Sequence, residues 1–450
     1  MRYLIPLSAL ALMACTSSVD RPAPSDLPMP PAEAELPVPN PASDPLEAAM
    51  PDPAPDVVTA NTRLGAALLS ELSRGHSGNV FISPLSLSTA MGMLYAGADG
   101  KTRDSIARVF HYPEGDVHAD LARLAEDANR TLEDPNAQHM PDHAADPQIL
   151  AVNNSLWVDE TFELKPDYLA TVERHYGAAP SRLDFEADPA GSRETINGWV
   201  EARTRDRIRD LLGESDVTPD TAAVLVNTVY MMAHWRDIFS ESDTQPRDFR
   251  VAGKRTEPRA MMQRVGRYAL ARTETGVGGA GALRIPYAND MSMIVILPDE
   301  ADGLAGLDRE MDAARIEAHL EALEAAEPVR VDLRLPKFSL EARYRLAEPL
   351  EAIGLSDVIL PARADLSRMT DDRRAAVSRI IQQVFLDVNE RGTEAAAATA
   401  IVIVRTSASP PQPKPLPFHI DRPFLMLLRD DVTGAIVFMG RITDPVAPEN

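Results

Sequence analysis

Cysteine and basic residues are both scarce in this 450-residue chain, which has one Cys and 45 Lys+Arg against 68 Asp+Glu. The single thiol, Cys15, excludes an internal disulfide framework and any zinc site that needs two or more thiolates. The formal charge of −23 argues against a sequence-independent nucleic-acid binder, which needs a basic face to neutralise phosphates. Local catalytic signatures are missing as well: no G-x-S-x-G elbow, no H-E-x-x-H and no P-loop occurs. Gly276–Gly281 spells G-x-G-x-x-G, but Pro286 follows within five residues in a strand-like stretch, where a dinucleotide site needs a helix N-terminus. His139 and His143 have Pro141 between them, which breaks the helix that would aim both at one metal. These segments read as a hairpin and a solvated loop. An enzyme is not the leading reading, and neither a metal nor an organic cofactor is implied.

What is present is a hydrophobic content of 44%, enough for one large domain or two ordinary ones. With 25% charged residues and a mean hydropathy of −0.19, the chain is neither disordered throughout nor a multi-span membrane protein. Residues 1–14 carry Arg2, a short apolar run and a small residue before Cys15, a pattern expected of an export signal. Leu12-Met13-Ala14-Cys15 also resembles a bacterial lipobox, in which the signal is cut before the cysteine and its thiol is acylated; the alternative is a plain secretory signal with a chance cysteine. A lipid-anchored chain is the expectation, and Thr16 after the cysteine favours the outer membrane or cell surface. Residues 15–56 hold prolines from Pro22 to Pro55 and no apolar periodicity, so they read as a tether, with the folded domain over 57–450.

Within that domain helix and strand patterns mix without a βαβ rhythm. Ser83-Pro84 reads as an N-cap with Pro in the first turn, opening a helix that runs to Gly97. Ile196, Trp199, Val200, Ile208, Leu211 and Leu212 predict a second amphipathic helix. Val329, Val331, Leu333 and Leu335 alternate with polar residues as a half-buried strand ended by Pro336. Ile149–Val158, Val224–Met231 and Met293–Leu297 are further strand candidates. The mixture predicts an α+β fold with large antiparallel or mixed sheets.

The most unusual stretch begins at Asp387-Val388-Asn389-Glu390-Arg391-Gly392-Thr393-Glu394 and continues through an alanine run to Ala400. Ile401–Val404, Arg405-Thr406-Ser407-Ala408-Ser409 and a proline tract to Pro417 follow. Propensity alone reads the alanines as a short helix, the β-branched run as a strand and the prolines as an exposed loop, with Gly392 permitting a hinge.

Over essentially all of residues 57–450 the chain resembles the serpins. The match rests on Asn79–Ser86, Leu225–Tyr230 with Trp235, Leu335-Pro336-Lys337-Phe338, Ala364-Asp365-Leu366-Ser367, Arg422-Pro423-Phe424, and the hinge Glu390-x-Gly-Thr-x-Ala-Ala-Ala-Ala-Thr. The resemblance implies a large mixed central sheet, further sheets, surrounding helices and an exposed reactive centre loop over about 390–417. It implies a monomeric suicide inhibitor of serine proteases or, alternatively, a cysteine protease. The target cuts the loop and forms an acyl-enzyme, and the cut loop then enters the central sheet as a new strand. Glu390, Gly392, Thr393, Ala395, Ala397 and Thr399 are then hinge residues, solvated while the loop is uncleaved. Alternation puts Thr393, Ala395, Ala397, Thr399, Ile401 and Ile403 on one face, which holds no charge and no proline.

Family spacing counted from Glu390 places the reactive bond at Thr406–Ser407, while trypsin-like specificity favours the bond after Arg405. Ser83, Ser86, Asn227 and Gln382 match a buried cluster that controls sheet opening, with Gln382 where the family usually has histidine. Trp235 is the contact at the top of the hinge, although Ala233-His234 precede it where Lys-Gly is commoner. The competing expectation is a non-inhibitory serpin acting as a binding or chaperone-like module.

Overall fold

Ser83 and Pro84 start a helix as their chemistry dictates: the Ser83 backbone is extended, its hydroxyl accepts the Ser86 N–H, and Pro84 fills the first turn. The computed structural model describes residues 55–447 apart from 129–130, 133–147, 178–179, 252–254, 274–278, 289, 301–309, 356–357, 359–362 and 394–412. Among the described residues the α-helices are α1 (Pro55–Ser73), α2 (Pro84–Gly97), α3 (Gly100–Val109), α4 (Val117–Ala128), α5 (Pro166–Tyr176), α6 (Pro189–Arg203), α7 (Ala313–Glu324) and α8 (Ala347–Ala352). Helix α1 starts two residues before the expected domain start at Val57. Helix α2 is apolar nearly all round and is buried against strands of both sheets.

One sheet contains β2 (Thr131–Leu132), β3 (Gln148–Asp159), β4 (Ser181–Leu183), β5 (Ala223–His234), β11 (Phe338–Arg345), β12 (Arg379–Val388) and β13 (Gly392–Thr393). Its order is β11-β12-β13-β5-β3-β2, with β4 on β3. It is mixed, because β12 and β5 are parallel while β11–β12 and β3–β5 are antiparallel. The second sheet is built from β1 (Val80–Ile82), β6 (Gln245–Val251), β7 (Arg255–Thr273), β8 (Ala280–Pro286), β9 (Met291–Pro298), β10 (Val329–Pro336), β14 (Leu416–His419), β15 (Phe424–Asp430) and β16 (Ile436–Ile442). It runs β1-β16-β15-β9-β8-β7-β10-β14, with β6 paired to β7. Both faces of its middle are covered, which is why β9, β15 and β16 read as near-continuous apolar runs.

Two expectations are corrected. The helix drawn through Ile196–Leu212 stops at Arg203: the Thr204 hydroxyl accepts the Ile208 N–H, and Arg205, Asp206 and Asp210 take left-handed backbone conformations. Ile208, Leu211 and Leu212 are still buried with Ile196 and Val200, so the apolar spacing reported burial and not helix. Pro417, expected in an exposed loop, lies in β14, an edge strand where its missing N–H costs no ladder bond. At the G-x-G-x-x-G match, Gly281 lies in β8 and strand continues to Pro286, so no helix N-terminus follows; Gly276–Gly278 lie outside the described residues.

Candidate functional site

Strand β12 ends at Val388, and the next four residues reverse the chain. The Asn389 and Gly392 backbones bond each other in both directions, N to O at 2.9 and 3.2 Å, and Asn389 Oδ1 accepts the Arg391 N–H at 3.0 Å. The reversal feeds β13 into the sheet between β12 and β5, with Thr393 opposite Val388 on one side and Ala233 on the other. Further along, β12 and β5 pair directly in parallel, from Arg379 opposite Val224 to Val384 opposite Val229. The seam between these strands is thus wedged open at one end by two residues and closed along the rest.

The wedge is held on every side. Trp235 is fully buried; its N–H donates to Arg391 O at 2.7 Å and its indole Nε1 to Asn389 O at 2.8 Å. Tyr287 stacks on Trp235 with ring centroids 4.3 Å apart, and its hydroxyl meets Thr393 Oγ1 at 2.8 Å. The Phe239 N–H donates to Glu390 O. Glu390 accepts from Thr244 Oγ1 at 2.8 Å and pairs with Lys337 Nζ at 3.1 Å. Thr393 is 0% exposed, which corrects the expectation of a fully solvated hinge: the hinge residues Gly392 and Thr393 are already in the sheet in the uncleaved chain.

Gly392 is required at its position by close approach, because a Cβ there would lie 2.0 Å from Ala233 O and 2.7 Å from His234 Cα. Gly392→Val is therefore expected to expel β13, costing roughly 1–3 kcal/mol of native stability and removing amide-exchange protection at Trp235 while the rest of the sheet stays protected. Unchanged protection at Trp235 would contradict the wedge.

Burial pushes the Glu390 carboxyl up, but hydrogen bonds from its own backbone, Thr244 and Lys337, with the Lys337 charge, outweigh this and hold its pKa below the ordinary carboxylate range. A depressed folded pKa gives stabilisation that is complete above the unfolded value of about 4.3 and is lost as pH falls through the folded one. Exchange protection of the Phe239 amide is thus expected to fall in acid below about pH 4, and Glu390→Gln to remove that step.

A second constellation lies where the seam is closed. Gln382, Asn227 and Asn154 stand in register on β12, β5 and β3, forming one polar row across three strands. Gln382 Nε2 donates to Asn227 Oδ1 at 2.6 Å and to Ser83 O at 2.9 Å, while its Oε1 accepts the Ser83 N–H at 3.0 Å. Asn227 Nδ2 donates to Ser86 Oγ and to Asn154 Oδ1, and Ser83 Oγ donates to Val437 O at 2.7 Å. The glutamine thus has partners for both its donor and its acceptor, and it joins β12 to β5 and to the start of α2.

The structure brings together Ser83, Ser86, Asn227 and Gln382 in one cluster, and Trp235, Glu390, Gly392 and Thr393 in another. Ala395, Ala397, Thr399, Arg405, Thr406, Ser407 and Cys15 lie outside the described residues, as do His139 and His143. Sequence reasoning missed Asn154, Tyr287, Thr244 and the Lys337 side chain as partners. Asn154 carried a signal, since Asn153-Asn154 interrupts an otherwise apolar strand.

Comparison with known proteins gives a consistent result. The family described as serpin (serine protease inhibitor) matches residues 59–445. Serpin B3 of Homo sapiens is 31% identical over 404 residues, covering 86% of this chain and 98% of that protein. The leukocyte elastase inhibitor of Homo sapiens is 32% identical over 394 residues, covering 86% and 99%. Among solved structures, uncleaved ovalbumin superposes with a TM-score of 0.74 at 26% identity, covering 87% of this chain and all of that one.

Proposed function

Because this chain belongs to the serpin family, we propose that it inhibits serine proteases as a suicide substrate, by cleavage of its reactive loop and insertion of the cut strand into the seam between β12 and β5. The observation that carries this reading is β13 itself, which seats Gly392 and Thr393 at the open end of that seam. Extending the register opposite β5 puts Thr399 opposite Asn227 and Ile403 opposite Ala223. Extending it opposite β12 puts Thr399 opposite Gln382 as well. The inserting strand thus runs along nearly the whole of β5, and a hydroxyl arrives where the Gln382–Asn227 hydrogen bond must break. A threonine both donates and accepts, so it can bridge the two amides it separates.

In the reaction, the protease's serine oxygen attacks the carbonyl carbon of Thr406 or Arg405, the peptide C–N bond breaks, and the new amino terminus leaves. The remaining ester links protease to loop. Insertion ahead of hydrolysis traps that ester, and the protein is consumed, not turned over. Incubating the chain with a panel of serine proteases is expected to give detergent-resistant complexes and a C-terminal fragment beginning at Thr406 or Ser407. Cleavage without any complex would favour the non-inhibitory binding module.

The same proposal places the domain outside the cytoplasm, hung from a membrane by acyl chains on Cys15 through the tether 16–56. The lipobox-like Leu12-Met13-Ala14-Cys15 supports it. Cys15→Ser is expected to shift the protein from the membrane fraction to the soluble one; retention in the membrane fraction would argue against the anchor.

A further inference from the structure

The chain after α6 crosses the mixed sheet over the seam between β5 and β12. Helix α6 sits on the near side, where Trp199 packs edge-on against Trp157 of β3 with ring centroids 6.1 Å apart. Beyond the helix, Ile208, Leu211, Leu212 and Val217 are buried with Val224 and Val226 of β5 and with Ile381 of β12. Ile381 and Val226 are paired across the seam, so this apolar cluster lies directly over it.

The crossing segment is tied down on both sides. On the near side Asn197 of α6 grips the Leu212 backbone: its Oδ1 accepts the N–H at 2.7 Å, and its Nδ2 donates to the carbonyl at 3.0 Å. On the far side the Asp216 carboxylate, 0% exposed, accepts Arg343 Nη2 on Oδ2 and pairs with Arg345 Nη2 through Oδ1 at 2.7 Å. Both arginines belong to β11, beyond β12, in register with Gln383 and Ile381. The turn between the two ties is closed, because the Gly213 N–H donates to Asp216 Oδ2 at 2.9 Å and the Asp216 N–H to Gly213 O at 3.0 Å.

A strand added between β5 and β12 widens the sheet by about 4.8 Å, the spacing of neighbouring strands. A closed four-residue turn cannot stretch that far while both ties hold. Lifting α6 instead would expose Ile196, Val200, Leu211 and Leu212 to water together. Arg343 and Arg345, with side chains 34% and 57% exposed, can exchange the carboxylate for water one contact at a time. The far tie is the one that yields.

We propose that Asp216 is a positioning residue for loop insertion: it bolts α6 to β11 across the seam and sets how readily β12 parts from β5. This rests on the inhibitory reading above for its consequence, but the bolt acts on the seam with or without a protease.

The test follows amide exchange in the uncleaved full chain along Ile380–Val384 and Val224–Val229, with Phe424–Leu428 of the second sheet as reference. Asp216→Asn keeps an acceptor for the Gly213 N–H and removes the charge. It is expected to speed exchange along the seam about tenfold and to leave the reference unchanged. Arg345→Gln, which leaves Arg343 in place, should give a smaller change in the same direction. Arg374→Gln, which breaks the pair with Asp372, should change neither. With a protease that the chain traps, Asp216→Asn should be cut at the wild-type rate but give a higher ratio of trapped to cleaved chain. Wild-type seam exchange in Asp216→Asn overturns the bolt, whatever the protease does. Equal acceleration in the reference strands would make the residue merely structural and likewise overturn it. Faster seam exchange with an unchanged ratio would deny the bolt any part in insertion. Selective seam exchange in a chain that no protease complexes leaves the bolt standing and removes the inhibitory reading instead.

Discussion

Thr393→Arg is expected to abolish the detergent-resistant complex while the loop is still cut at the same bond, turning an inhibitor into a substrate. Thr393 is 0% exposed between β12 and β5, and its hydroxyl is bonded to Tyr287. A guanidinium there would be buried among Val388, Ala233 and the Tyr287 ring with no counter-charge opposite it, at a cost of several kcal/mol. The native chain escapes by withdrawing β13, so native stability should fall by only roughly 1–3 kcal/mol. The cut loop has no such escape, because Thr393 must re-enter the sheet before the residues behind it can follow. Hydrolysis of the acyl-enzyme then wins the race. Glu394→Arg, on the opposite face by alternation, should change far less. Covalent complex yields of the three proteins with one protease decide the matter: wild-type yield from Thr393→Arg would make insertion the wrong mechanism.

Gln382→Ala is expected to produce the largest loss of native stability among the variants considered. It strips partners from the Ser83 N–H, the Ser83 carbonyl and Asn227 Oδ1, all within a fully buried cluster. Each orphaned group costs about 1–3 kcal/mol, so a total of roughly 3–6 kcal/mol follows, allowing for local relaxation. Because the lost Gln382–Asn227 bond crosses the closed part of the seam, β12 and β5 should also part more readily. Urea midpoints, together with amide exchange along Val224–Val229, measure both effects; a loss under about 1 kcal/mol would show that the row is not structural.

Gln382→His tests the same seam by titration. Burial would depress the folded pKa of an imidazole there, as burial, the leading cause, and the nearby Arg103 charge push His118 down to about 4. The unfolded chain would then bind the proton first. Stability should hold above about pH 6.5 and decline as pH falls from there towards the folded value, a slope that wild type lacks at this position.

The sequence by itself carried the elements whose cause is local. Ser83-Pro84 fixed the start of α2, alternation fixed β10, and largely apolar runs marked β5 and β9. The order of short motifs was enough to identify the serpin family. Local periodicity failed after Arg203, because burial of Ile208 and Leu211 is satisfied by an irregular chain as well as by a helix. Tertiary structure alone decided how deeply the hinge sits. The depth depends on Trp235, Tyr287 and Lys337 meeting residues 389–393 from positions at least 53 residues away, and no spacing along the chain encodes such a meeting. The polar row was half legible for the same reason. Gln382 and Asn227 could be named from motifs, but Asn154 joins them only because strand pairing sets three distant residues side by side, where burial forces each amide to find a partner.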